Sequence, residues 1–391
     1  MEMAEKYRIL AKRWCLCAVS VLLWAGMLLP AWAAVEPINA KAVVLMEAGT
    51  GRVLYAQNEH KPLPMASTTK IMTALLALEQ PDIHAVFPVD PTAIQVEGSS
   101  MGLQAGDVVS LRALAAGMLL ASGNDGANAA AVRIAGSQGA FAVLMNQRAQ
   151  AIGMADTYFV TPSGLDNKSH VSTAYDMALL AREALRNPEF AALCGQDRVQ
   201  VAYGNPPYDR WLTNHNRLLK EYDGAIGVKT GFTTKAGRCL VSAARREGIT
   251  LICVTLACPD DWAVHRQLYD DHWDTLAVVD AAARLPEVSI PVTGGILPAV
   301  GAVVYEAVPV TVSVENPLLT WQVRAEPFLY APIMAGQYVG EATVFLAGQP
   351  AATLTLAAEA DVPLRHAYEE KAGLWGWICT VWGQMGMNSR A

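Results

Sequence analysis

Apolar positions along the chain follow two periods in turn. From Lys41, "KAVVLMEAGTGRVLYAQN" alternates apolar and polar residues around a Gly49–Gly51 turn, which predicts two strands. Between about residues 64 and 200 the period lengthens to that of a helix. "PMASTTKIMTALLALE" sets Ile71, Leu75 and Leu78 at i, i+4 and i+7, the spacing of one buried face. "LRALAAGMLLAS" and "DGANAAAVRIAG" carry the same spacing, and "STAYDMALLAREAL" opens on Ser172 as a helix cap. From Ala225 strands return in "AIGVKTGF" and "RCLVSAARREGITLICVTLA", with a helix expected over about 262–284. Strands, helices and strands again around one core predict an α/β fold with an antiparallel sheet.

Both ends depart from this pattern. After Pro286, "VSIPVTGGILPAVGAVVYEAVPVTVSVENPLLTWQVRAEP" is rich in Val, Pro and Gly with short alternating runs, which predicts a small all-β domain over 286–363. From Gly373 to Met387 there is no charge, and Leu374, Ile378, Val381 and Met385 keep helical spacing beside Trp375, Trp377 and Trp382. That run is too short to span a bilayer comfortably, so residues 364–391 are expected to hold an amphipathic helix lying on a membrane surface. At the other end Lys6, Arg8, Lys12 and Arg13 precede an apolar run that closes on Ala31-Trp32-Ala33. A basic start, an apolar middle and an A-x-A end describe a secretory signal peptide over residues 1–33. The main body is then expected over residues 34–285, on the outer side of the cytoplasmic membrane.

The chain has 391 residues, 53% of them hydrophobic and 17% charged, enough for two globular domains. The leader carries two more basic than acidic residues, so the net charge of −7 becomes −9 without it. No basic stripe exists, and nucleic acid is not an expected partner. Beyond the leader the cysteines are Cys194, Cys239, Cys253, Cys258 and Cys379, an odd set without regular spacing. That is no disulfide scaffold, although Cys239 and Cys253 are expected on neighbouring strands. His265 and His272, seven apart, fit no compact ligand set and are expected on a surface helix. No metal or other cofactor is expected.

Three polar clusters interrupt the apolar pattern: Ser67-Thr68-Thr69-Lys70, Ser122-Gly123-Asn124 and Lys229-Thr230-Gly231. Ser67 and Lys70 stand three apart at the head of a helix, so their side chains share a face. A serine hydroxyl needs a base to become a nucleophile, and a lysine buried near a second cation loses its proton readily enough to serve. Lys229 would be that cation. Ser122 can relay a proton towards a leaving group, Asn124 can hydrogen-bond a substrate amide, and Gly231 lets a substrate backbone approach its strand.

In this order the clusters are the S-x-x-K, S-x-N and K-T-G motifs of penicillin-binding proteins and serine β-lactamases, and the chain resembles that superfamily. "PMASTTKIMTALLALE", "ASGNDGANAAA", "TPSGLDNKSHVSTAYDMALLARE" and "VKTGFTTKAGRCLVSAA" are most similar to the D-alanyl-D-alanine carboxypeptidases of low molecular mass. "APIMAGQYVGEATVFLAGQ" resembles their β-rich second domain, and the tail their membrane anchor. The resemblance implies a β-lactamase-like domain, an antiparallel sheet with helices on both faces, that cleaves the terminal D-Ala-D-Ala bond of a peptidoglycan stem through an acyl-enzyme. β-Lactam antibiotics would acylate the same serine. The family places the oxyanion hole at the backbone N–H groups of Ser67 and Phe232, and the terminal carboxylate against Thr230 and Thr233 with Lys229 beside them. A further carboxylate-binding arginine of the family has a candidate in Arg266, whose spacing departs from the family's; the alternative is a solvated helix residue. A β-lactamase would instead need a deacylating glutamate, and Glu183, four before Asn187, has the spacing but falls at a predicted helix end. A non-catalytic wall-associated protein of the same fold would be expected to lack Ser67, Lys70 or Lys229.

Overall fold

The computed structural model describes residues 37–365, so the expected leader over 1–33 and most of the expected tail helix lie outside the described residues. The first strands are β1 (Ala42–Glu47) and β2 (Val53–Gln57), joined at a turn where Gly51 takes φ +78°. A 3-10 turn, Ala66–Thr69, then leads into α1 (Lys70–Leu78). Helices α2 (Leu111–Leu119), α3 (Asn124–Ala135), α4 (Gln138–Ile152), α5 (Ala174–Ala184) and α6 (Pro188–Cys194) follow. Short strands β3 (Val86–Pro88), β4 (Val108–Ser110), β5 (Arg198–Gly204) and β6 (Pro207–Thr213) form a side sheet. After a short helix α7 (Leu218–Glu221) the chain lays down β7 (Ala225–Thr233), β8 (Gly237–Arg246) and β9 (Ile249–Leu256), then α8 (Asp261–Trp273).

The central sheet is antiparallel, in the order β2-β1-β9-β8-β7. Every residue of β1 and most of β8 and β9 are buried, so the sheet is covered on both faces. Helix α5 packs against β1 and β9, and α8 against β8 and β9. Helix α1 is buried all round rather than on one face, because α2, α3 and α5 surround it; even Lys70, at its first turn, has no exposed surface.

Two local expectations are corrected. Thr173, not Ser172, caps α5: its hydroxyl accepts from Asp176 N at 3.0 Å, while Ser172 pairs its backbone with Leu63. The helix expected to run to residue 284 ends at Trp273, and Leu276–Asp280 is a strand, β10. β-Branched Val278 and Val279 suit a strand, and β10 pairs with a strand at Pro309–Ser313. Beyond it a six-stranded sheet encloses a second apolar core, including Ile290, Val344, Leu354 and Leu356, which shares no buried residue with the core of the first part. Cys239 and Cys253 do lie on adjacent strands but out of register, facing Leu256 and Ser242 respectively. Cys194, Cys239, Cys253 and Cys258 are all free.

Candidate active site

The three polar clusters meet where the 3-10 turn abuts the edge strand β7. The turn starts on Ala66, whose φ of +50° is a left-handed conformation that alanine rarely adopts. Two side chains stitch the turn to its own start: Thr68 Oγ1 donates to Met65 O, just before it, at 2.6 Å and Thr69 Oγ1 to Ala66 O, its first residue, at 2.8 Å. Ser67, half-buried, is thereby held at the mouth of a cleft with Lys70 directly behind it.

Lys70 Nζ lies 2.9 Å from Ser67 Oγ and donates to Ser163 O at 2.6 Å. Burial drives its pKa well below the ordinary lysine value, and the charge of Lys229 pushes the same way, with Asp125 opposing. Lys229, itself buried, is brought down to about 7 by desolvation and donates to Thr230 O at 2.8 Å. Ser122 also takes a left-handed backbone, φ +60°, at the tip between α2 and α3. Asn124 opens α3 and spends its side-chain amide on Glu97 O, 2.7 Å away. The next residue, Asp125, accepts from Ser100 Oγ and from the N–H groups of Met101, Gly102 and Leu103, each within 3.0 Å. That nest of donors fastens the 97–103 loop over the site, and Ser99 from it lines the cleft.

Gly231 explains how β7 can come so close. A Cβ there would sit 3.0 Å from Thr68 N and 3.1 Å from both Met65 O and Ser67 N. The close approach that this glycine permits within the chain is therefore between β7 and the turn that carries Ser67. Thr230, Gly231 and Phe232 all line the cleft, and the Phe232 ring points outward, 66% exposed. Thr233 Oγ1 donates to Asp166 Oδ1 at 3.0 Å and is not among the lining residues.

The cleft, of about 370 Å³, is also lined by residues that no motif marks: His215, Arg217, Arg238, Cys239, Asp261 and Trp262. Arg238, from β8, pairs with Asp261 at 2.7 Å and lies over the Trp262 ring. Arg217 pairs with Glu221 at 2.8 Å. His215 is made less basic by burial and by Lys229. The one signal for these residues in the sequence is the polar run Asn214-His215-Asn216-Arg217, whose asparagines tie the loop to Cys194 O and Gly227 O.

Four residues weighed from the sequence stand elsewhere. Arg266 pairs with Glu221 at 3.3 Å and does not line the cleft. Glu183 is held between Arg148 at 2.7 Å and Arg186 at 3.2 Å, which lower its pKa, and Asn187 caps α6; neither reaches Ser67 as a deacylating pair. His265 is not on a surface but fully buried, bonded to Ser242 and Thr255, because the face of α8 that carries it packs on the sheet.

Comparison with known proteins gives a consistent picture. Residues 31–260 match a protein family described as D-alanyl-D-alanine carboxypeptidase, peptidase S11. The D-alanyl-D-alanine carboxypeptidase DacF of Bacillus subtilis is 38% identical over 223 residues, 55% of this chain and 57% of that protein. The chain thus spans little more than half the length of that relative. Among solved structures, penicillin binding protein 5 from Haemophilus influenzae superposes with a TM-score of 0.65 at 27% identity, covering 84% of this chain and 98% of that one. The D-alanyl-D-alanine carboxypeptidase DacD from Francisella tularensis gives 0.60 at 28%, covering 84% and 95%.

Proposed function

The chain belongs to the D-alanyl-D-alanine carboxypeptidase family of serine peptidases, and from that premise we propose that it removes the terminal D-alanine from peptidoglycan stem peptides. One observation carries the reading: Lys70, fully buried and with its ammonium form disfavoured, stands 2.9 Å from the Ser67 hydroxyl. A neutral amine at that distance is placed to take the hydroxyl proton.

In this reading Ser67 Oγ attacks the carbonyl carbon of the D-Ala-D-Ala bond as its proton passes to Lys70 Nζ. The carbonyl oxygen becomes an oxyanion that receives the backbone N–H groups of Ser67 and Phe232. Collapse of the adduct breaks the C–N bond, and the amine leaves as D-alanine with a proton relayed through Ser122. Water then attacks the ester, returning the proton to Ser67 and releasing the shortened peptide. The substrate's free carboxylate would lie against Thr230 and Thr233 with Lys229 behind them. Arg217 and Arg238, ion-paired with Glu221 and Asp261, line the cleft where Arg266 does not and would bring guanidinium groups to that carboxylate. Asn124 would orient the substrate amide once it is released from Glu97 O.

The same reading makes β-lactams acylating inhibitors. The ion-paired Glu183 supports slow rather than rapid release of the adduct. It also includes export and peripheral attachment at the outer face of the cytoplasmic membrane, supported by the sequence of residues 1–33 and 373–387. No described helix is long and apolar enough to cross a membrane. The test is release of D-alanine from a D-Ala-D-Ala-terminated peptide by the purified protein. Activity should vanish in Ser67→Ala, and release that persisted in that variant would overturn the assignment.

A further inference from the structure

His170 is 3% exposed and lies in none of the three motifs, yet it touches both halves of the catalytic pair's support. Its Nδ1 accepts from the backbone N–H of Val160 at 2.9 Å and of Thr161 at 3.3 Å. An acceptor nitrogen carries no proton, so in the neutral ring the proton is on Nε2. Nε2 is 2.8 Å from Thr69 Oγ1 and donates to it; Thr69 in turn donates to Ala66 O. A directed chain therefore runs from the 160–170 loop through the imidazole to the left-handed residue just before Ser67.

The loop on the other side of the ring belongs to the same machinery. Ser163 O accepts from Lys70 Nζ, and Pro162 O from Thr73 Oγ1 on the same helix. Gly164 presses against the turn so closely that a Cβ there would be 2.0 Å from Ala66 O. Two surfaces that must keep register, the Ser67 turn and the carbonyl that orients Lys70, thus share one side-chain bridge. We propose that His170 is a positioning residue for acyl transfer, clamping the nucleophile turn to the loop that holds Lys70. The proposal rests on Ser67 and Lys70 being the reacting pair.

The bridge works only while the ring is neutral, since a proton on Nδ1 would turn the acceptor into a donor facing two N–H groups. Burial keeps it so, lowering the pKa to about 4, with Asp166 the charged group that opposes; the Phe159 ring packs edge-on beside it. A bridge of this kind acts on geometry and not on binding, and a displacement of about 1 Å at a reacting group can cost roughly 100-fold.

The experiment measures the acylation rate by penicillin, and kcat and KM for a D-Ala-D-Ala peptide, in Thr69→Val, His170→Asn, His170→Gln and the double variant Thr69→Val/His170→Asn. Asparagine keeps an acceptor near Nδ1 but loses the reach to Thr69; glutamine reaches Thr69. The expected result is a fall of about 10- to 100-fold in acylation and kcat for Thr69→Val and His170→Asn, with KM within about two-fold. His170→Gln should recover most of the rate, and the double variant should be no slower than the slower single one, as for two cuts in one chain. Wild-type rates in both single variants, losses that multiply in the double, or a rise in KM at constant kcat would each overturn the proposal. If a His170 variant does not fold, Thr69→Val, close to threonine in shape, decides alone. A wild-type protein that penicillin does not acylate would overturn the functional reading as well, whereas a labelled wild type with unaffected variants removes His170 alone.

Discussion

A lysine serves as a base near neutral pH only where its ammonium form is unstable, and Lys70 meets that condition twice over, by burial and by the facing charge of Lys229. Arginine at position 70 would stay protonated, so Lys70→Arg should reduce acylation by penicillin at least 100-fold, read as the rate of covalent labelling. In the proposed function Lys229 would have the opposite duty, staying charged to receive a carboxylate. Acylation should therefore fall on the acid side, as Lys70 gains its proton, and on the alkaline side, as Lys229 loses its own from about pH 7 upward, later still with an anion bound. Lys229→Arg stays charged throughout, so it should keep part of the activity and lose the alkaline limb; an unchanged limb would assign it to another group. Ser67, Lys70, Ser122, Asn124 and Lys229 were legible in the sequence as members of three short polar clusters, which the fold gathers at one cleft. Arg238, Asp261 and His170 were not, because each acts through a partner far along the chain.

At the scale of elements, the site depends on how closely β7 and the 160–170 loop can approach the Ser67 turn. Gly231→Ala would drive a methyl against three backbone atoms at 3.0–3.1 Å, none of them the end of a flexible side chain. The strand must then move away from the turn. We expect a loss of about 1–3 kcal/mol in stability, measured by denaturant unfolding, and at least a 10-fold drop in acylation. Strand and helix identities were readable where period and length agreed, as in β1 and α2. Reading failed where tertiary context decided. Leu276–Asp280 became a strand because a partner at Pro309–Ser313 was available, and α1 lost its polar face because helices enclose it. The cap of α5 moved by one residue because Ser172 was already committed to a bridge with Leu63.

At the scale of the molecule, two apolar cores divide the described chain, and all three motifs lie in the first. Leu354, 1% exposed in the second core, should cost about 2–5 kcal/mol on truncation to alanine, read from unfolding of that part, while kcat on a small peptide stays unchanged. A change in kcat would show that the β-rich part supports the site directly. The shift to short Val- and Pro-rich runs announced this second part in the sequence, but not its early start at β10, which pairs with Pro309–Ser313 and packs Ala277 and Val279 on the second core. The proposed function requires one covalent bond, at Ser67 Oγ. Intact-protein mass spectrometry after brief exposure to benzylpenicillin should show a single added penicilloyl mass, located on Ser67 after digestion, that persists for many minutes. A protein that stays unlabelled, or that carries the adduct on another residue, would contradict it.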